Sequence, residues 1–409
     1  MFSESTRVVH DKFAEYYAAS NTVIRPPNGI GYREFGFFLF RKGVMLRHRS
    51  FDSISALEAF LSKTTPSDIY YSSAYYEIPE KEMEEKGFLG ADLVFDIDAD
   101  HIPTPCDKIH DSWICSNCRF VGKGPAPEEC PACSSSRFEA KTWTCEVCLK
   151  SAKNETIKLT EMLVRDFGFS EKEITVYFSG NRGYHVHVED ESVWALDSLA
   201  RKEIVDYVIG LGFKAGLHGV VDSQKRVSVD RDAQGWKRRV ADGVETFLKK
   251  ATAAQIEATG LNKRSADILN RNRRRLLENL EKDNYLEVKG ISPNNWRKVI
   301  EWIVDQQSAK IDTVVTTDTH RLIRLAGSLH GKTGLMKTEA PLSGFDAFDP
   351  LKEAIAFKDG HLVVDVAEAP EFRIGDNVYG PFQNAGQMEL PTAAALFLCC
   401  KGAAMAVRP

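Results

Sequence analysis

The sequence lacks three features that would place a chain in a membrane, in a secretory compartment or on nucleic acid through charge alone. No run of eighteen apolar residues occurs, so no segment is predicted to span a bilayer. The stretch Met1–Thr6 lacks the basic and then apolar layout of a signal peptide, and we expect a cytoplasmic, intracellular protein. A basic excess is also missing, since the net charge is −5; any binding of nucleic acid must rely on local basic patches and metal.

What remains is the composition of an ordinary globular chain, with 43% hydrophobic and 27% charged residues. Its 409 residues are enough for two or three domains and a substantial core. Residues 190–307 are charged and helical in pattern, and their basic clusters are interleaved with acidic residues, so solvated helix faces are the default interpretation. The apolar segment 393–407 is interrupted by Lys401 and is predicted to be a docked helix.

The stretch Leu93–Asp100 has an apolar first half and three alternate aspartates, Asp96, Asp98 and Asp100. It is predicted to be a buried strand, which would place the three carboxylates on one face and the apolar residues between them in the core. Neighbouring carboxylates repel and are costly to desolvate unless a cation lies between them. Hard oxygen ligands favour Mg²⁺ or Mn²⁺, although a strand that ends in an acidic, solvated loop would give the same pattern.

Seven of the nine cysteines lie between residues 106 and 148, six of them in C-x-x-C pairs. In a reducing compartment this crowding indicates metal binding rather than disulfides. The segment 113–134 resembles a rubredoxin-like module, and its C-x2-C-x11-C-x2-C pattern consists of Cys115, Cys118, Cys130 and Cys133. Such modules hold zinc or iron, and we favour structural Zn²⁺ because nothing else in the chain indicates electron transfer.

The third pair, Cys145 and Cys148, needs two further ligands to complete a metal site. Cys106 and His110 lie on the other side of the rubredoxin-like segment 113–134, which we call the ribbon. A site built from these four residues would account for all seven cysteines. Other combinations of the three pairs remain open, as does His101 in place of His110.

A glycine-rich segment between two predicted strands offers a second polar site, Ser179-Gly180-Asn181-Arg182-Gly183-Tyr184-His185. Its glycines permit a tight turn and the close approach of a ligand. A hydroxyl, a guanidinium and an imidazole around an exposed backbone suit a phosphate group. An ordinary glycine hairpin with a surface arginine is the alternative.

Two further stretches carry charge in patterns that suit phosphate or metal. A hairpin is predicted for residues 35–49 around a turn at Arg41-Lys42-Gly43, with Arg47 and Arg49 on one face as phosphate contacts or as solvated side chains. Residues 311–334 contain Asp312, Asp318, three basic residues and a glycine-rich end, a composition that again suits metal and phosphate.

Four motifs, in this order along the chain, resemble those of the small catalytic subunit of archaeal and eukaryotic DNA primases, and they are most similar to archaeal members. They are Arg33-Glu34-Phe35 with Arg47, Val94-Phe95-Asp96-Ile97-Asp98, the segment Ser179–His185, and Arg321-Leu322-Ile323-Arg324 leading to Ser328-Leu329-His330-Gly331-Lys332. The resemblance spans roughly residues 10 to 340. The ribbon at 113–134 departs from the simplest family pattern.

By this resemblance, Asp96 and Asp98 match the family's metal-binding pair. The family's third carboxylate lies eighteen residues before the histidine of an S-x-H-x-K motif, which indicates Asp312, with Asp318 as the alternative. The residues implied to bind the nucleotide are Arg47, Ser179, Gly180, Arg182, His185, Ser328, His330 and Lys332. The family also has a zinc site built from cysteines and a histidine, which supports the set of Cys106, His110, Cys145 and Cys148.

The resemblance also implies an α/β (α+β) fold, in which a catalytic core of mostly antiparallel sheets is flanked by helices. We assign the core to residues 1–102, 150–190 and 308–385. The expected additions are a zinc-binding region at 103–149 that contains the ribbon, a helical insertion at 191–307 and a docked C-terminal helix at 386–409.

The implied activity is DNA-directed primer synthesis at the start of replication, a nucleotidyl transfer with two Mg²⁺ or Mn²⁺ ions. The implied partners are a large regulatory primase subunit, a single-stranded DNA template, NTPs or dNTPs, and the replication machinery. Two rival interpretations are a primase-related polymerase of end-joining repair and a non-catalytic zinc-ribbon scaffold that binds nucleic acid. The intact aspartates at 96, 98 and 312 argue against the scaffold.

Overall fold

The structure of the protein is a computed structural model that describes residues 4–19, 23–40, 45–216 and 227–407. The predicted turn at Arg41-Lys42-Gly43 lies outside these residues. Of the helices that the structure describes, none has the length and apolarity needed to cross a membrane.

The described residues form a mixed α/β fold with antiparallel sheets, which confirms the predicted fold class. Its helices are α1 (Glu4–Ala18), α2 (Ile54–Thr64), α3 (Glu146–Arg165), α4 (Ser198–Val208), α5 (Gly235–Lys250), α6 (Ala253–Ala258), α7 (Lys263–Arg271), α8 (Arg273–Asp283), α9 (Pro293–Gln307), α10 (Thr313–Thr317), α11 (Pro350–Glu353) and α12 (Thr392–Cys400). Its strands are β1 (Phe35–Leu39), β2 (Met45–Arg49), β3 (Pro66–Ser72), β4 (Ala74–Tyr76), β5 (Phe88–Ala91), β6 (Leu93–Asp98), β7 (Ser112–Cys115), β8 (Val121–Lys123), β9 (Phe138–Lys141), β10 (Ile174–Phe178), β11 (Gly183–Val188), β12 (Leu322–Arg324), β13 (Thr338–Ala340), β14 (His361–Ala369), β15 (Phe372–Ile374), β16 (Asn377–Tyr379), β17 (Phe382–Pro391) and β18 (Ala404–Ala406).

The chain divides into two compact units. The first comprises Met1–Thr156, Glu171–Arg201 and Ile311–Pro409, and it contains all the sheets named below. The second comprises Ile157–Ser170 and Lys202–Lys310. Within it, α5 packs against α8 and α9 and buries apolar side chains such as Val244, Leu276 and Ile303.

The first sheet of the larger unit has the strand order β12-β3-β1-β2, and every neighbouring pair is antiparallel. Phe35 and Phe37 alternate along β1, and both are fully buried in a cluster with Phe13 of α1 and Leu61 of α2. Because alternate residues of a strand share a face, this aromatic stripe determines which face of the sheet packs on the core.

The second sheet has the order β13-β10-β11-β6, again antiparallel throughout. Along β6, Phe95 and Ile97 are fully buried, whereas Asp96 and Asp98 on the opposite face are only partly buried. The register pairs Asp96 with His185 and Asp98 with the first residue of β11. Two segments that are far apart in the sequence are therefore adjacent strands.

Smaller sheets complete the larger unit. Strands β8-β7-β9 form the ribbon sheet, β17-β14-β18 form a C-terminal sheet, and β4-β5 and β15-β16 form two-stranded ribbons. Along the chain, the C-terminal helix α12 follows β17 and precedes β18. Its Leu396, Phe397 and Leu398 are buried. Because β17 begins at Phe382, this C-terminal segment contains strands as well as a helix.

Candidate active site

The site is built around the aspartates of β6. Asp96 and Asp98 alternate with buried apolar residues, so both carboxylates emerge on the face of the sheet opposite the core. His185 of β11, opposite Asp96 in the register, brings its Nε2 within 3.6 Å of Asp96 Oδ1.

A third aspartate, Asp312, joins this pair from a distant part of the sequence. The backbone N–H of Asp312 donates to the backbone carbonyl of Asp96 at 2.8 Å. Asp312 also caps α10, because its Oδ1 accepts from the backbone N–H of Val314 at 3.0 Å. Val315 of α10 packs in a cluster with Val94 of β6, and this contact holds the cap beside the strand.

Asp318, the alternative to Asp312, and Asp100 both lie elsewhere. Asp318 is at the opposite end of α10, where its Oδ1 accepts from the backbone N–H of His320 at 2.9 Å. Asp100 was predicted to share the strand face, and this is wrong. The strand ends at Asp98, whose Oδ1 accepts from the Asp100 backbone N–H at 2.8 Å and starts a 3₁₀ turn over Ala99–His101.

The carboxylates are electrostatically crowded. Burial, followed by the charges of Asp98 and Asp312, raises the pKa of Asp96 to about 7. Burial also raises the pKa of Asp98, although Arg182 and other nearby cations oppose the shift. A site in which ionisation is this unfavourable fits a divalent cation, which would take the place of the proton.

Asp96 and Asp98 line a cavity of about 200 Å³, whereas Asp312 is not among its lining residues. The residues that line it are Tyr70, Asp96, Asp98, Ser179, Asn181, His185, Val315, Arg321, Leu322, Ile323, Arg324 and His330. Three of the four predicted motifs therefore contribute to one cavity: β6 supplies its acidic side, and the last motif supplies the basic residues Arg321 and Arg324 and His330. The first motif, Arg33-Glu34-Phe35 with Arg47, does not line it.

The basic side depends on Asp68, a residue that the sequence did not indicate. Arg324, next to Tyr70 in the register of β12 and β3, donates to the Tyr70 hydroxyl at 3.0 Å and to Asp68 Oδ1 at 2.7 Å. Asp68 also accepts from the backbone N–H of Gly331 at 3.0 Å. Burial opposes ionisation of Asp68, but the Arg324 guanidinium and this N–H hold its pKa at about 2. Asp68 thus fixes both Arg324 and the loop that carries His330.

The two histidines of the cavity are neutral. Burial lowers the pKa of His185 and of His330 well below the usual range, and nearby cations add to the shift. His330 Nδ1 accepts from the backbone N–H of Lys332 at 3.1 Å, so its proton is on Nε2. His330 is therefore a neutral donor, and His185 leaves the negative charge of Asp96 uncompensated.

Two sets of cysteines and histidine have the geometry of metal sites. The first set consists of Cys106, His110, Cys145 and Cys148, and the second consists of Cys115, Cys118, Cys130 and Cys133. Within each set, the four ligand atoms lie within 4.8 Å of one another. The Sγ atoms of Cys106 and Cys148 are 3.5 Å apart, and both lie within 3.6 Å of His110 Nε2. These separations are too long for disulfides and close to the roughly 3.7 Å edge of a tetrahedron with zinc–sulfur bonds of about 2.3 Å.

Both sets therefore fit a structural zinc ion, with His110 rather than His101 as the histidine ligand. Within the described ranges, these are the groups that bring three or more such ligand atoms within 4.8 Å of each other. The three aspartates form a looser group that does not meet this criterion.

Comparison with known proteins identifies the family. The family model of the DNA primase small subunit matches residues 129–342. The DNA primase small subunit PriS of Archaeoglobus fulgidus is 37% identical over 96% of this chain and 96% of its own. The protein of the same name from Methanothrix thermoacetophila is 33% identical over 98% of this chain and 99% of its own. The chain belongs to the DNA primase small subunit family.

Membership confirms the resemblance indicated by the four motifs and makes the chain a DNA primase, an enzyme of the nucleotidyltransferase class. A third relative, PriS of Methanococcoides burtonii, is 34% identical over 96% of each chain. The similarity therefore extends over nearly the whole length of the chain.

The glycines of the primase segment Ser179–His185 are required by two close approaches. A Cβ at Gly183 would lie 2.1 Å from the backbone oxygen of Ile97, so only glycine lets β11 approach β6 at this point. Gly180 has φ +90°, and a Cβ there would lie 2.9 Å from Cβ of His330. Both glycines thus join the segments that line the cavity.

Arg182, predicted to bind the nucleotide, is not part of the cavity lining. Its side chain is fully buried, donates from Nη1 to Asp111 Oδ2 at 2.7 Å and contacts the Asp100 carboxylate through Nη2. Asp111 follows His110, which belongs to the first candidate metal site. The guanidinium is therefore held by two carboxylates, and its role in phosphate binding stays a prediction.

Four other predicted nucleotide-binding residues also lie outside the lining: Arg47, Gly180, Ser328 and Lys332. Arg47 donates from Nε and Nη2 to the buried carboxylate of Glu34 at 2.9 and 3.2 Å. Ser328 is fully buried, and its hydroxyl donates to the backbone carbonyl of Leu325 at 2.7 Å. Lys332 is exposed, and it lies close enough to oppose the raised pKa of Asp98.

Sequence reasoning missed Asn181 and Lys401, which bring the C-terminal helix to the site. Lys401 is only 7% exposed, and its Nζ donates to Asn181 Oδ1 at 3.1 Å. Burial, together with the charges of Arg182 and Lys332, lowers the pKa of Lys401 to about 7. The signal that could have indicated Lys401 was its position as the single lysine of an otherwise apolar segment.

Proposed function

We propose that this primase joins nucleotides into a primer on a single-stranded DNA template, and that the cavity beside β6 is its catalytic centre. The observation that carries the proposal is the convergence of Asp96, Asp98 and Asp312 next to a basic wall that contains Arg324 and His330. Nucleotidyl transfer needs these two features together, because carboxylates bind the catalytic cations and basic groups bind the triphosphate.

Asp96, Asp98 and Asp312 are the residues that would hold Mg²⁺ or Mn²⁺. When bound, such ions supply Lewis-acid chemistry that lowers the pKa of a 3′-hydroxyl and neutralises departing pyrophosphate. The unfavourable ionisation of Asp96 is the property expected of a ligand whose charge is balanced only by a bound cation.

The basic wall would bind and orient the triphosphate. Arg324 is fixed in place by Asp68 and Tyr70 before any ligand arrives, so little side-chain entropy is lost on binding. His330 offers its Nε2–H, a donor that remains neutral. Ser179 and Asn181 add polar groups to the lining.

The proposed partners follow from the family. The curated relatives are named small subunits, and we propose that this chain acts with a large regulatory subunit within the replication machinery. We further propose that NTPs or dNTPs are its substrates and that each cysteine set holds zinc, with iron as the alternative in the ribbon.

The direct test is primer synthesis on a single-stranded template with Mg²⁺ or Mn²⁺, with the purified large subunit present. We expect wild-type protein to form dinucleotides without a pre-existing 3′ end. Asp98→Ala should lower the rate at least about 10³-fold. Asp365→Ala, a change on β14 away from the cavity, is the matched control and should keep the wild-type rate. Extension of existing ends alone, or full activity of Asp98→Ala, would refute the proposal.

A second test distinguishes the aspartates at the two ends of α10. Asp312→Asn should weaken Mn²⁺ binding at least about tenfold, because it removes a charged ligand next to Asp96. Asp318→Asn alters the other cap of the same helix and should leave the affinity unchanged. Water-proton relaxation during Mn²⁺ titration measures both variants. The reverse order of effects would transfer the role to Asp318.

A further inference from the structure

The proposed function does not explain why Arg182 is buried between two carboxylates. A buried guanidinium is costly to desolvate, and it is retained only where its partners are held in fixed positions. The side chain is fully buried and contacts Asp111 on one side and Asp100 on the other. The two carboxylates belong to different parts of the site, which indicates a connecting role.

On one side the contacts lead to the zinc site. Asp111 is 5% exposed, and its Oδ1 accepts from His110 Nδ1 at 2.8 Å and from the backbone N–H of Trp143 at 2.9 Å. Its Oδ2 accepts from Arg182 at 2.7 Å. An imidazole that donates from Nδ1 presents Nε2 to a metal. Asp111 therefore uses one oxygen to orient the metal ligand and the other to hold the arginine.

On the other side the contacts lead to the aspartate strand. The Arg182 side chain contacts the Asp100 carboxylate, and its backbone carbonyl accepts from the backbone N–H of Ala99 at 3.2 Å. The Asp100 N–H in turn donates to Asp98 Oδ1 at 2.8 Å. Arg182 thus holds the 3₁₀ turn on which the orientation of the Asp98 carboxylate depends.

We propose that Asp111 and Arg182 are positioning residues that connect the zinc site of Cys106, His110, Cys145 and Cys148 to the catalytic Asp98. The ordered zinc site fixes Asp111, Asp111 fixes Arg182, and Arg182 fixes the turn that follows Asp98. The inference rests on the proposed function, because it takes Asp98 as a ligand of the catalytic cation. Its consequence is that a defect beside the zinc site weakens cation binding at the aspartates even when zinc is retained.

Asp111→Asn separates the two sides of this connection. The amide oxygen still accepts from His110 and Trp143, whereas the amide N–H₂ faces the Arg182 guanidinium and cannot accept from it. We expect the zinc content to stay at that of the wild type. Mn²⁺ affinity, measured by water-proton relaxation, should fall about tenfold, as expected for the loss of one hydrogen bond to a charged group.

Arg182→Met breaks the same ion pair from the other side and leaves the contacts of Asp111 with His110 unchanged. It should weaken Mn²⁺ binding by a similar factor, and the double variant should be no weaker than Arg182→Met alone. Asp166→Asn is the matched control, since Asp166 forms a comparable buried pair with Arg239 in the second unit. This control should not change Mn²⁺ affinity.

The outcomes separate this inference from the proposed function. If wild-type protein bound no Mn²⁺, the proposed function would fail, and the inference with it. If the wild type bound Mn²⁺ and the zinc-loaded Asp111→Asn and Arg182→Met variants bound it equally well, only the inference would fail. Strictly additive losses in the double variant would also overturn it, because the two residues would then act independently. Should Asp111→Asn lose zinc, the zinc-loaded Arg182→Met variant decides by itself, and unchanged Mn²⁺ affinity in that variant overturns the inference.

Discussion

Replacement of Asp96 by asparagine is expected to abolish primer synthesis and, in the same protein, to increase stability at pH 8. Both effects have one cause. Burial and the charges of Asp98 and Asp312 raise the pKa of Asp96 to about 7, so its ionised form is unfavourable until a cation binds. Asparagine keeps the shape of the side chain and removes the charge. It therefore removes a metal ligand and a source of repulsion together.

The sign of the pH dependence follows from the direction of the shift. The unfolded chain releases the Asp96 proton near pH 4, whereas the folded chain keeps it up to about pH 7. The resulting contribution to stability is fully present below about pH 4 and is lost as the pH rises through about 7. At pH 8 the wild type carries the whole penalty, and we expect Asp96→Asn to be more stable by roughly 1–3 kcal/mol. At pH 4 the difference should vanish.

Urea denaturation at the two pH values, in buffer without added Mg²⁺ or Mn²⁺, measures this difference. Chelators must be avoided because they would also remove the zinc proposed for the cysteine sites. Asp365→Asn is the control for a general effect of one lost carboxylate. Added Mn²⁺ should stabilise the wild type but not Asp96→Asn. An Asp96→Asn protein that is inactive but no more stable at pH 8 would show that Asp96 is not crowded in the way described.

The sequence predicted the parts of the site that depend on local pattern. The alternation along β6 was sufficient to place Asp96 and Asp98 on one face, because the period of a strand is fixed by its backbone. The spacing of the cysteine pairs was similarly informative, since a tetrahedral site requires four ligands at short range. The grouping of Cys106 and His110 with Cys145 and Cys148 followed from this requirement.

The partners of charged side chains were not predictable in this way. Arg182 and Arg47 are in primase motifs, yet each is bound by a buried carboxylate, Asp111 and Glu34 respectively. A motif shows that a charge is present, but which carboxylate lies beside it depends on the tertiary fold. The same reason explains why Asp68 was missed, since nothing near it in the sequence indicates that it holds Arg324.

The end of β6 shows a different limit of prediction from the sequence. Continued alternation predicted Asp100 on the strand face, but the Asp98 side chain accepts from the Asp100 N–H and ends the strand. Aspartate competes for backbone N–H groups in this way and favours turns and caps. The carboxylate oxygens that make these residues suitable metal ligands also accept hydrogen bonds from backbone N–H groups. For this reason the strand ends two residues before the predicted point.

Loss of one zinc ligand is expected to have unequal effects at the two cysteine sites. Cys148 is fully buried in α3, and its site includes His110, whose neighbour Asp111 also binds the buried Arg182. Cys130 belongs to the ribbon, which has its own small cluster around Trp113. Structural zinc contributes directly to folding free energy, so the cost depends on how much structure each site orders.

We therefore expect Cys148→Ser to lose one zinc per chain, to lower the first thermal transition by about 10 °C and to weaken Mn²⁺ binding. Cys130→Ser should also lose one zinc, but it should shift that transition by only about 3 °C and leave Mn²⁺ affinity unchanged. Metal analysis, calorimetry and Mn²⁺ titration test the pair of variants. Because both replace a buried cysteine by serine, the comparison cancels the cost of the substitution itself. Equal effects on Mn²⁺ affinity would contradict a specific connection between the first zinc site and the aspartates.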